Sequence, residues 1–278
     1  MSWFDAAALS FVAFTATQAI YVLLQAFVGW GVGATVEVVS VGSGPVLFEK
    51  VIRGVKCRLS AIPGGYTKFA GQDGDLDHDN TSESVSPDGV VPYGDVTILG
   101  RAVMLLSGPT SSVLIGLACV AIPVLIGADQ LVVDAEVPAR WAKIGVPNLT
   151  VSQQPSTWMG QRELFEKTIL EFSIRTATFR SLKGWSGFFG WLSTLGSAGK
   201  HSVAAWFTCF GVTMIGIGLL NFLPIPVLNG GHLVFLVVEA VYGKPSERLL
   251  IGATYIGMLF VLVMMVRVIL ADIAWLWT

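Results

Sequence analysis

Four long apolar stretches without a charged residue constrain the fold of this chain more than any other feature. The first lies between Asp5 and Glu37, the second covers residues 102–128, the third follows His201 and the fourth ends at Arg267. A helix needs about 20 mostly apolar residues to cross the hydrocarbon core of a bilayer. We therefore predict a mainly α-helical polytopic membrane protein with four transmembrane helices, near residues 7–30, 107–127, 203–222 and 250–271.

The composition agrees with this prediction. Charged residues make up 13% of the chain and the mean hydropathy is +0.69, whereas an average soluble domain carries about 25% charged residues. The net charge of -2 offers no basic surface for nucleic acid, so the expected partners include the lipid bilayer but no nucleic acid. Cys57, Cys119 and Cys209 lie too far apart to predict a disulfide framework.

The first apolar stretch is too long for a secretory signal peptide, and no basic segment precedes it. We interpret it as a transmembrane span rather than a cleaved leader. The basic residues of the loops divide evenly between the two sides of the membrane, so they do not predict its orientation.

A small β element is predicted between the first two spans. Residues 36–41 alternate as a strand does, and we expect the Gly-Ser-Gly-Pro sequence at 42–45 to end that strand. Arg53-Gly54 has the character of a hairpin turn, and Pro-Gly-Gly at 63–65 is expected to end the second strand. The element therefore lies next to a membrane span.

Two further segments each allow two interpretations. Residues 71–95 are rich in Asp, Ser, Gly and Pro, which favours a solvated acidic loop. The alternative is a calcium site, although the Gly and the final Glu do not stand where an EF-hand requires them. Residues 163–179 form an amphipathic helical pattern, which fits a helix on the membrane surface or one packed on the protein's own loops.

The third apolar stretch is interrupted by a polar and proline-containing sequence. Asn221, Pro224, Pro226 and Asn229 form an N-x-x-P-x-P-x-x-N-G-G pattern that is followed by His232. Two prolines two residues apart stop a regular helix. Non-helical backbone at membrane depth is tolerated only where protein or a water-filled cavity covers it. The pattern thus indicates either a buried site or a plain re-entrant turn.

This interrupted segment resembles a known family. Residues 221–245 are similar to the C-terminal motif of the site-2 proteases, the membrane-embedded zinc metalloproteases, and above all to the regulator-of-sigma-E protease branch. Residues 40–44 and 63–68 resemble the membrane-associated β segment of that branch, and residues 106–109 resemble the start of its second span. Residues 182–190 resemble a glycine segment of the branch, with Phe188 in place of a proline. The resemblance covers most of the chain in order.

The resemblance also implies where a zinc site would stand. In the family, the two His of H-E-x-x-H and the Asp of L-D-G bind zinc, and the Glu is the general base. The matching positions here are Tyr21, Val22 and Gln25 in the first span and Asn229 in the third, and residues 1–36 contain neither His nor Glu. We therefore expect no catalytic residue, no bound metal and no cofactor, although zinc is the metal of the family.

Other side chains offer no substitute site in the sequence. The three histidines are His78 in the acidic loop, His201 before the third span and His232 after its interruption. Because crossing the hydrocarbon core takes about 30 Å, we expect His201 and His232 near opposite faces of the bilayer. Cys119 and Cys209 lack partners at metal-ligand spacing.

The predicted organisation has three parts. Residues 1–128 form the N-terminal half of a site-2-protease-like core, residues 129–200 an extramembrane loop, and residues 201–278 the C-terminal half. The family branch inserts PDZ domains into the middle part. Here only residues 129–157 remain beside the helical and glycine segments, fewer than the roughly 40 residues a domain needs to fold unaided. We therefore expect no complete PDZ domain.

Three functions fit the sequence. The favoured one is a pseudoprotease of the bacterial cytoplasmic (inner) membrane that binds and regulates transmembrane client segments. The resemblance assigns substrate binding to Gly42 and Gly44, by strand addition, and to Asn221, Pro224 and Pro226 in the interrupted span. The alternatives are an active intramembrane zinc metalloendopeptidase and a structural or transporter-like subunit, so enzymatic activity stays open. The resemblance also implies that the site faces the cytoplasm.

Overall fold

The computed structural model describes residues 2–71, 90–126 and 188–276. Within them the chain forms six α-helices and one β-hairpin, with a short 3-10 helix at Tyr93–Asp95. The elements are α1 (Trp3–Gly31), β1 (Val36–Ile52), β2 (Val55–Phe69), α2 (Ile98–Leu125), α3 (Phe188–His201), α4 (Val203–Leu220), α5 (Asn229–Tyr242) and α6 (Glu247–Leu276). The mainly α-helical fold with a small β element is confirmed.

Four of these helices are long and apolar enough to cross a membrane. They cover Trp3–Gly31, Ile98–Leu125, Val203–Leu220 and Arg248–Leu270, which confirms the four predicted spans. The second helix begins at Ile98 rather than near residue 107. The predicted span left Arg101 outside because a charged residue rarely lies in a membrane helix. In the structure Arg101 is part of the first turn of α2 and is buried, because it forms an ion pair with Glu239.

The β-hairpin is longer than predicted. The expectations that residues 42–45 would end the first strand and residues 63–65 the second are wrong, because β1 and β2 continue through these positions. Gly42 and Gly44 have φ values of 93° and 76°, and the pairing shifts register here. Glycine adopts such angles without strain, so the strand bends instead of ending. The predicted turn at Arg53-Gly54 is confirmed, since Ile52 pairs with Val55 around it.

The two ends of β1 differ in how they are paired. Residues 38–41 face two segments of β2, residues 56–59 on one side and residues 65–68 on the other. Residues 46–52, in contrast, pair only with residues 55–60 among the residues described, and their side chains are exposed. One open backbone edge of the hairpin therefore lies along residues 46–52, beyond Gly44.

The chain divides into two compact units. Of the residues described, one unit contains 14–71, 90–111 and 221–247. It includes the hairpin, the first half of α2 and the whole of α5. Its core packs Val22 and Ala26 of α1 against Phe69 of β2 and Met104 of α2. The hydroxyl of Thr67 also donates a hydrogen bond of 2.9 Å to the carbonyl of Val22. These contacts attach the hairpin to the middle of the first span.

Of the residues described, the second unit contains 2–13, 112–126, 188–220 and 248–276. Gly116 of α2 and Gly211 of α4 pack directly on each other, and a Cβ atom on either would lie 2.6 Å from the carbonyl oxygen of the other. Small residues at such a crossing let two membrane helices approach closely. The buried indole N–H of Trp206 donates to Ser10 Oγ at 2.8 Å, so α1 and α4 are also joined by a polar contact.

Several predictions fall outside the described residues. These are the acidic segment at 72–89 with its calcium alternative and His78, the amphipathic helix at 163–179 and the glycine segment as far as residue 187. The last residues of that segment begin α3. The three-part division of the chain stays a prediction.

Candidate functional site

The candidate site lies beside a proline in the second span, which leaves one backbone carbonyl of the helix without its usual hydrogen-bond donor. Pro109 lies in the interior of α2 and is fully buried. Because proline has no backbone N–H, it cannot donate to the carbonyl four residues earlier, which is that of Leu105. The hydroxyls of Ser107 and Ser111 donate to the nearby carbonyls of Met104 and Gly108 at 2.7 and 2.6 Å.

Asn229 supplies the missing donor. It is the first residue of α5, and its Nδ2 donates to the carbonyl of Leu105 at 2.8 Å and to the hydroxyl of Tyr21 at 2.9 Å. A carbonyl oxygen only accepts hydrogen bonds, so the amide nitrogen must face Leu105. Both N–H groups of the amide are therefore in use, and the orientation of the side chain is determined.

Tyr21 meets Asn229 from the first span. Its ring packs on Gly108, where an added Cβ atom would overlap the ring. The pair thus joins two of the positions that the resemblance assigned to the family's metal ligands. The other two positions differ: Val22 is a fully buried core residue, and Gln25 lies half-buried one turn further along α1. The roles assigned to these four residues stay predictions.

The interrupted span is a tight turn between α4 and α5. Three of its carbonyls accept backbone N–H groups from the turn or from the start of α5: Asn221 from Gly230 at 2.8 Å, Leu223 from Ile225 at 2.7 Å, and Ile225 from Leu228 at 2.8 Å. The prolines therefore remove helical hydrogen bonds, but the turn replaces several of them itself. Of the two interpretations of this sequence, a buried site and a plain re-entrant turn, the geometry favours the re-entrant turn.

The Gly-Gly pair that follows is required by this turn. A Cβ atom on Gly230 would overlap the carbonyls of Phe222 and Leu223, and one on Gly231 would overlap the carbonyl of Ile225. The glycines thus let the turn fold back against the start of α5. As a consequence Asn229 is held at a precise position, and Leu223 and Pro224 remain exposed at the tip. The assignment of Asn221, Pro224 and Pro226 to client binding stays a prediction.

An ion pair that the sequence analysis missed fixes the far end of α5. The guanidinium of Arg101 donates to both carboxylate oxygens of Glu239, at 2.7 and 3.0 Å, and the two side chains are only 9% and 12% exposed. The sequence offered one signal for this pair: Arg101 borders one apolar stretch, and Glu239 is a single acidic residue within another. The pair holds α5, and with it Asn229, against the start of α2.

Tyr93 lies beside this pair. Its ring centroid is 5.8 Å from the guanidinium carbon of Arg101, within cation–π distance. Burial raises the pKa of the Tyr93 phenol to about 12, and this outweighs the opposing charge of Arg101. The phenol is therefore neutral at physiological pH and acts as part of the packing around the ion pair.

No cluster of three or more His, Cys, Asp or Glu side chains occurs in the part of the chain that the structure describes. His232 follows the Gly-Gly pair, and its ring lies 6.4 Å from that of Phe235. Cys119 and Cys209 are free thiols.

Comparisons with known proteins identify relatives of this chain. The model of peptidase family M50 matches residues 26–264. The regulator of sigma E protease of Haemophilus influenzae is 39% identical over 69 residues, covering 24% of this chain and 16% of that protein. The regulator of sigma-W protease RasP of Bacillus subtilis is 37% identical over 75 residues, covering 27% and 18%. The zinc metalloprotease RasP of Bacillus licheniformis is 43% identical over 60 residues, covering 21% and 14%. The chain thus matches less than a fifth of the length of each of these three relatives.

The expectation of no cofactor needs correction. The match to a peptidase family and the relative named as a zinc metalloprotease overturn it, because zinc is the metal to expect in this family. We tested whether the four matching positions fit a zinc ion. Of the three ligand positions, Tyr21 and Asn229 are hydrogen-bonded to each other and Gln25 is a neutral amide, so none supplies an imidazole, a thiolate or a carboxylate. Val22, at the position of the general base, is aliphatic. These positions therefore do not fit a zinc ion, whose usual ligands are imidazole, thiolate and carboxylate groups.

The family assignment agrees with the fold. Four apolar helices, a hairpin attached to the first span and an interrupted third span occur in the order that the resemblance predicted. The Tyr21–Gln25 segment precedes the matched residues, whereas the turn and Asn229 lie inside them. The helices and the bacterial relatives together indicate an inner-membrane protein. The chain belongs to peptidase family M50, the site-2 proteases.

Proposed function

We propose that this chain is a catalytically inactive member of its family that holds a transmembrane segment of a client protein and thereby regulates the client. The hydrogen bond between Tyr21 and Asn229 carries the proposal. It joins two positions at which the resemblance expects metal ligands, and it leaves a neutral phenol and a neutral amide there. These groups can hold a polypeptide, but neither generates hydroxide from water at neutral pH.

The surroundings of the pair support a client-binding role. The open edge along residues 46–52 offers backbone groups for strand addition, and it follows Gly42 and Gly44 directly. The side chains of Val46, Leu47 and Phe48 on this edge are exposed and apolar. A client segment that leaves its helical conformation would thus find both backbone partners and apolar surface beside the first span.

The interrupted span offers a second surface for the client. Pro224 is exposed at the tip of the turn, while Asn221 and Pro226 are half-buried. Because the turn makes internal hydrogen bonds, we assign it the role of a rigid apolar wall rather than that of a backbone partner.

Site-specific photo-crosslinking in living cells tests the proposal. A photoreactive residue at Val227, in the turn, should capture a defined membrane protein, and Asn221→Leu should reduce the yield. A photoreactive residue at Leu259, exposed on α6, serves as the matched lipid-facing control and should not capture the same protein. Capture of lipid alone at Val227, or an Asn221→Leu variant that captures as much as the original chain, would contradict the proposal.

The names of the relatives favour one alternative, an active intramembrane metalloprotease. The same experiment separates it from the proposal, because the size of the captured client reports cleavage. We expect the client to keep its full length after prolonged expression of the chain, with zinc supplied in the medium. A shortened client that disappears when Asn229 is replaced would establish the protease instead.

A further inference from the structure

We propose that Tyr21 and Asn229 form a clamp for one extended residue of an unwound client segment and bind its backbone C=O and N–H together. In this clamp the Tyr21 hydroxyl donates to a client carbonyl, and Asn229 Oδ1 accepts from a client backbone N–H. The inference rests on the proposed function and assigns its ligand chemistry: a neutral, extended polypeptide backbone.

The hydrogen bonds of Asn229 determine what it can offer to a ligand. Both N–H groups of its amide are occupied, by the Leu105 carbonyl and by the Tyr21 hydroxyl. The amide oxygen is therefore directed away from these two partners, and among the described residues it has no hydrogen-bond partner of its own. An amide oxygen has two lone pairs, so Asn229 presents an acceptor in a fixed direction.

Tyr21 presents the complementary group. Its oxygen accepts the hydrogen bond from Asn229, and within the described residues its own proton has no acceptor. The close packing of the ring on Gly108 fixes the position of the hydroxyl. One donor and one acceptor thus stand side by side on preorganised side chains, which reduces the entropy lost on binding.

The location of the pair selects the ligand. Tyr21 lies ten residues before the end of α1, about 15 Å along the helix axis. Water is scarce at such a depth, and an unpaired polar group costs several kcal/mol. A helical client uses its backbone groups internally, whereas an unwound segment has free N–H and C=O groups. The donor and the acceptor of the clamp match those of a single extended residue.

The charge of this region argues against an ionic ligand. Tyr21 and Asn229 are neutral, and they contact each other, a backbone carbonyl and a glycine. The buried charges of Arg101 and Glu239 neutralise each other. A neutral, extended residue of a polypeptide backbone is therefore the ligand that the side chains fit.

The experiment uses the full chain in lipid nanodiscs and a synthetic transmembrane peptide as the probe. The peptide is apolar, about 25 residues long, carries a fluorophore and contains a central Asn-Pro-Gly sequence that unwinds it. A series of peptides replaces one central amide at a time with an ester, which removes the N–H donor. Affinity is measured by fluorescence anisotropy for the original chain and for each variant.

The variants separate binding from folding. Tyr21→Phe removes the hydroxyl and retains the ring that packs on Gly108. Asn229→Leu is made together with Pro109→Ala, because alanine restores the N–H that bonds the Leu105 carbonyl inside α2. Asn229→Leu/Pro109→Ala is compared with Pro109→Ala alone, so that any effect of the proline itself on binding cancels. Tyr255→Phe on α6 is the matched control and should bind the peptide as the original chain does.

We expect Tyr21→Phe and Asn229→Leu/Pro109→Ala each to weaken binding about 3- to 20-fold, the range of one hydrogen bond in a membrane protein. The peptide whose ester replaces the N–H bound by Asn229 should bind the original chain less tightly than the all-amide peptide does. With the Asn229 variant, the ester and all-amide peptides should bind equally. If the peptide binds but neither variant changes its affinity, the clamp is refuted and the proposed function stands. If the original chain binds no peptide and captures no client in cells, both are refuted.

Discussion

Replacing one member of the Arg101–Glu239 pair tests whether this ion pair holds the candidate site in place. The pair has two charge-assisted hydrogen bonds, and its side chains are 9% and 12% exposed. Breaking a buried pair by removing one charge typically costs about 3–5 kcal/mol, because the remaining charge stays buried without a partner. We therefore expect Glu239→Leu and Arg101→Met each to lower the free energy of unfolding by about that amount.

The double variant provides the decisive comparison. Arg101→Met/Glu239→Leu leaves no charge behind, and hydrophobic replacement of a buried pair is often close to neutral. We expect the double variant to lose less stability than either single variant. The pair Arg58–Glu49 on the hairpin supplies a matched control, since its side chains are 21% and 39% exposed. Glu49→Gln should cost about 1 kcal/mol or less.

Reversible unfolding in mixed micelles, followed by circular dichroism as the denaturing detergent is increased, measures these free energies. The same variants in the nanodisc assay show whether Asn229 is still positioned for the peptide. The reasoning would be refuted if Glu239→Leu cost no more than Glu49→Gln, or if the losses of Arg101→Met and Glu239→Leu simply added in the double variant. In either case the pair would not anchor α5.

Three further predictions concern neighbouring features. Gly108→Ala should destabilise the protein by about 1–3 kcal/mol, because the new methyl overlaps the Tyr21 ring; Tyr21→Ala should relieve part of this loss in the same unfolding assay. Asn229→Leu should cost less in a Pro109→Ala background, by up to about 1.7 kcal/mol, and equal costs in both backgrounds would show that the amide does not serve the Leu105 carbonyl. Burial raises the pKa of Tyr93 to about 12. The stability that the neutral phenol provides is therefore complete below the pKa of unfolded tyrosine, near 10, and is lost as the pH rises to about 12. Tyr93→Phe should flatten the fall of the unfolding free energy over that pH range, and absorbance near 295 nm should show one tyrosine fewer ionising at high pH.

Local patterns were enough to predict the membrane spans and the hairpin turn. Hydropathy over about 20 residues reports whether a helix can enter the bilayer, and this depends little on the rest of the chain. Arg53 and Gly54 have φ values of 52° and 85°, which two-residue hairpin turns require. Such features are encoded by residues close together in sequence, and so they could be derived without a structure.

The strand ends show where local reasoning failed. The Gly-Ser-Gly-Pro sequence at 42–45 has the composition of a strand terminator, yet β1 continues through it to Ile52. Pairing with β2 continues past this sequence, from Ser43 with Ile62 to Ile52 with Val55, and its hydrogen bonds outweigh the local preference. Residues 42–45 alone do not contain that information, because their pairing partners lie further along the chain.

For the candidate site, the residues alone establish that the family's His and Glu are absent from the H-E-x-x-H positions and that the third span is interrupted. What the residues at these positions do instead depends on how the helices pack. Asn229 reaches Tyr21 across 208 positions and Leu105 across 124, and Arg101 reaches Glu239 across 138. A proline that leaves one carbonyl without a donor, and a charge that needs a partner, are visible locally. Which side chain satisfies each of them is decided by how the helices pack, because hydrogen bonds and ion pairs depend on distances in space rather than in sequence.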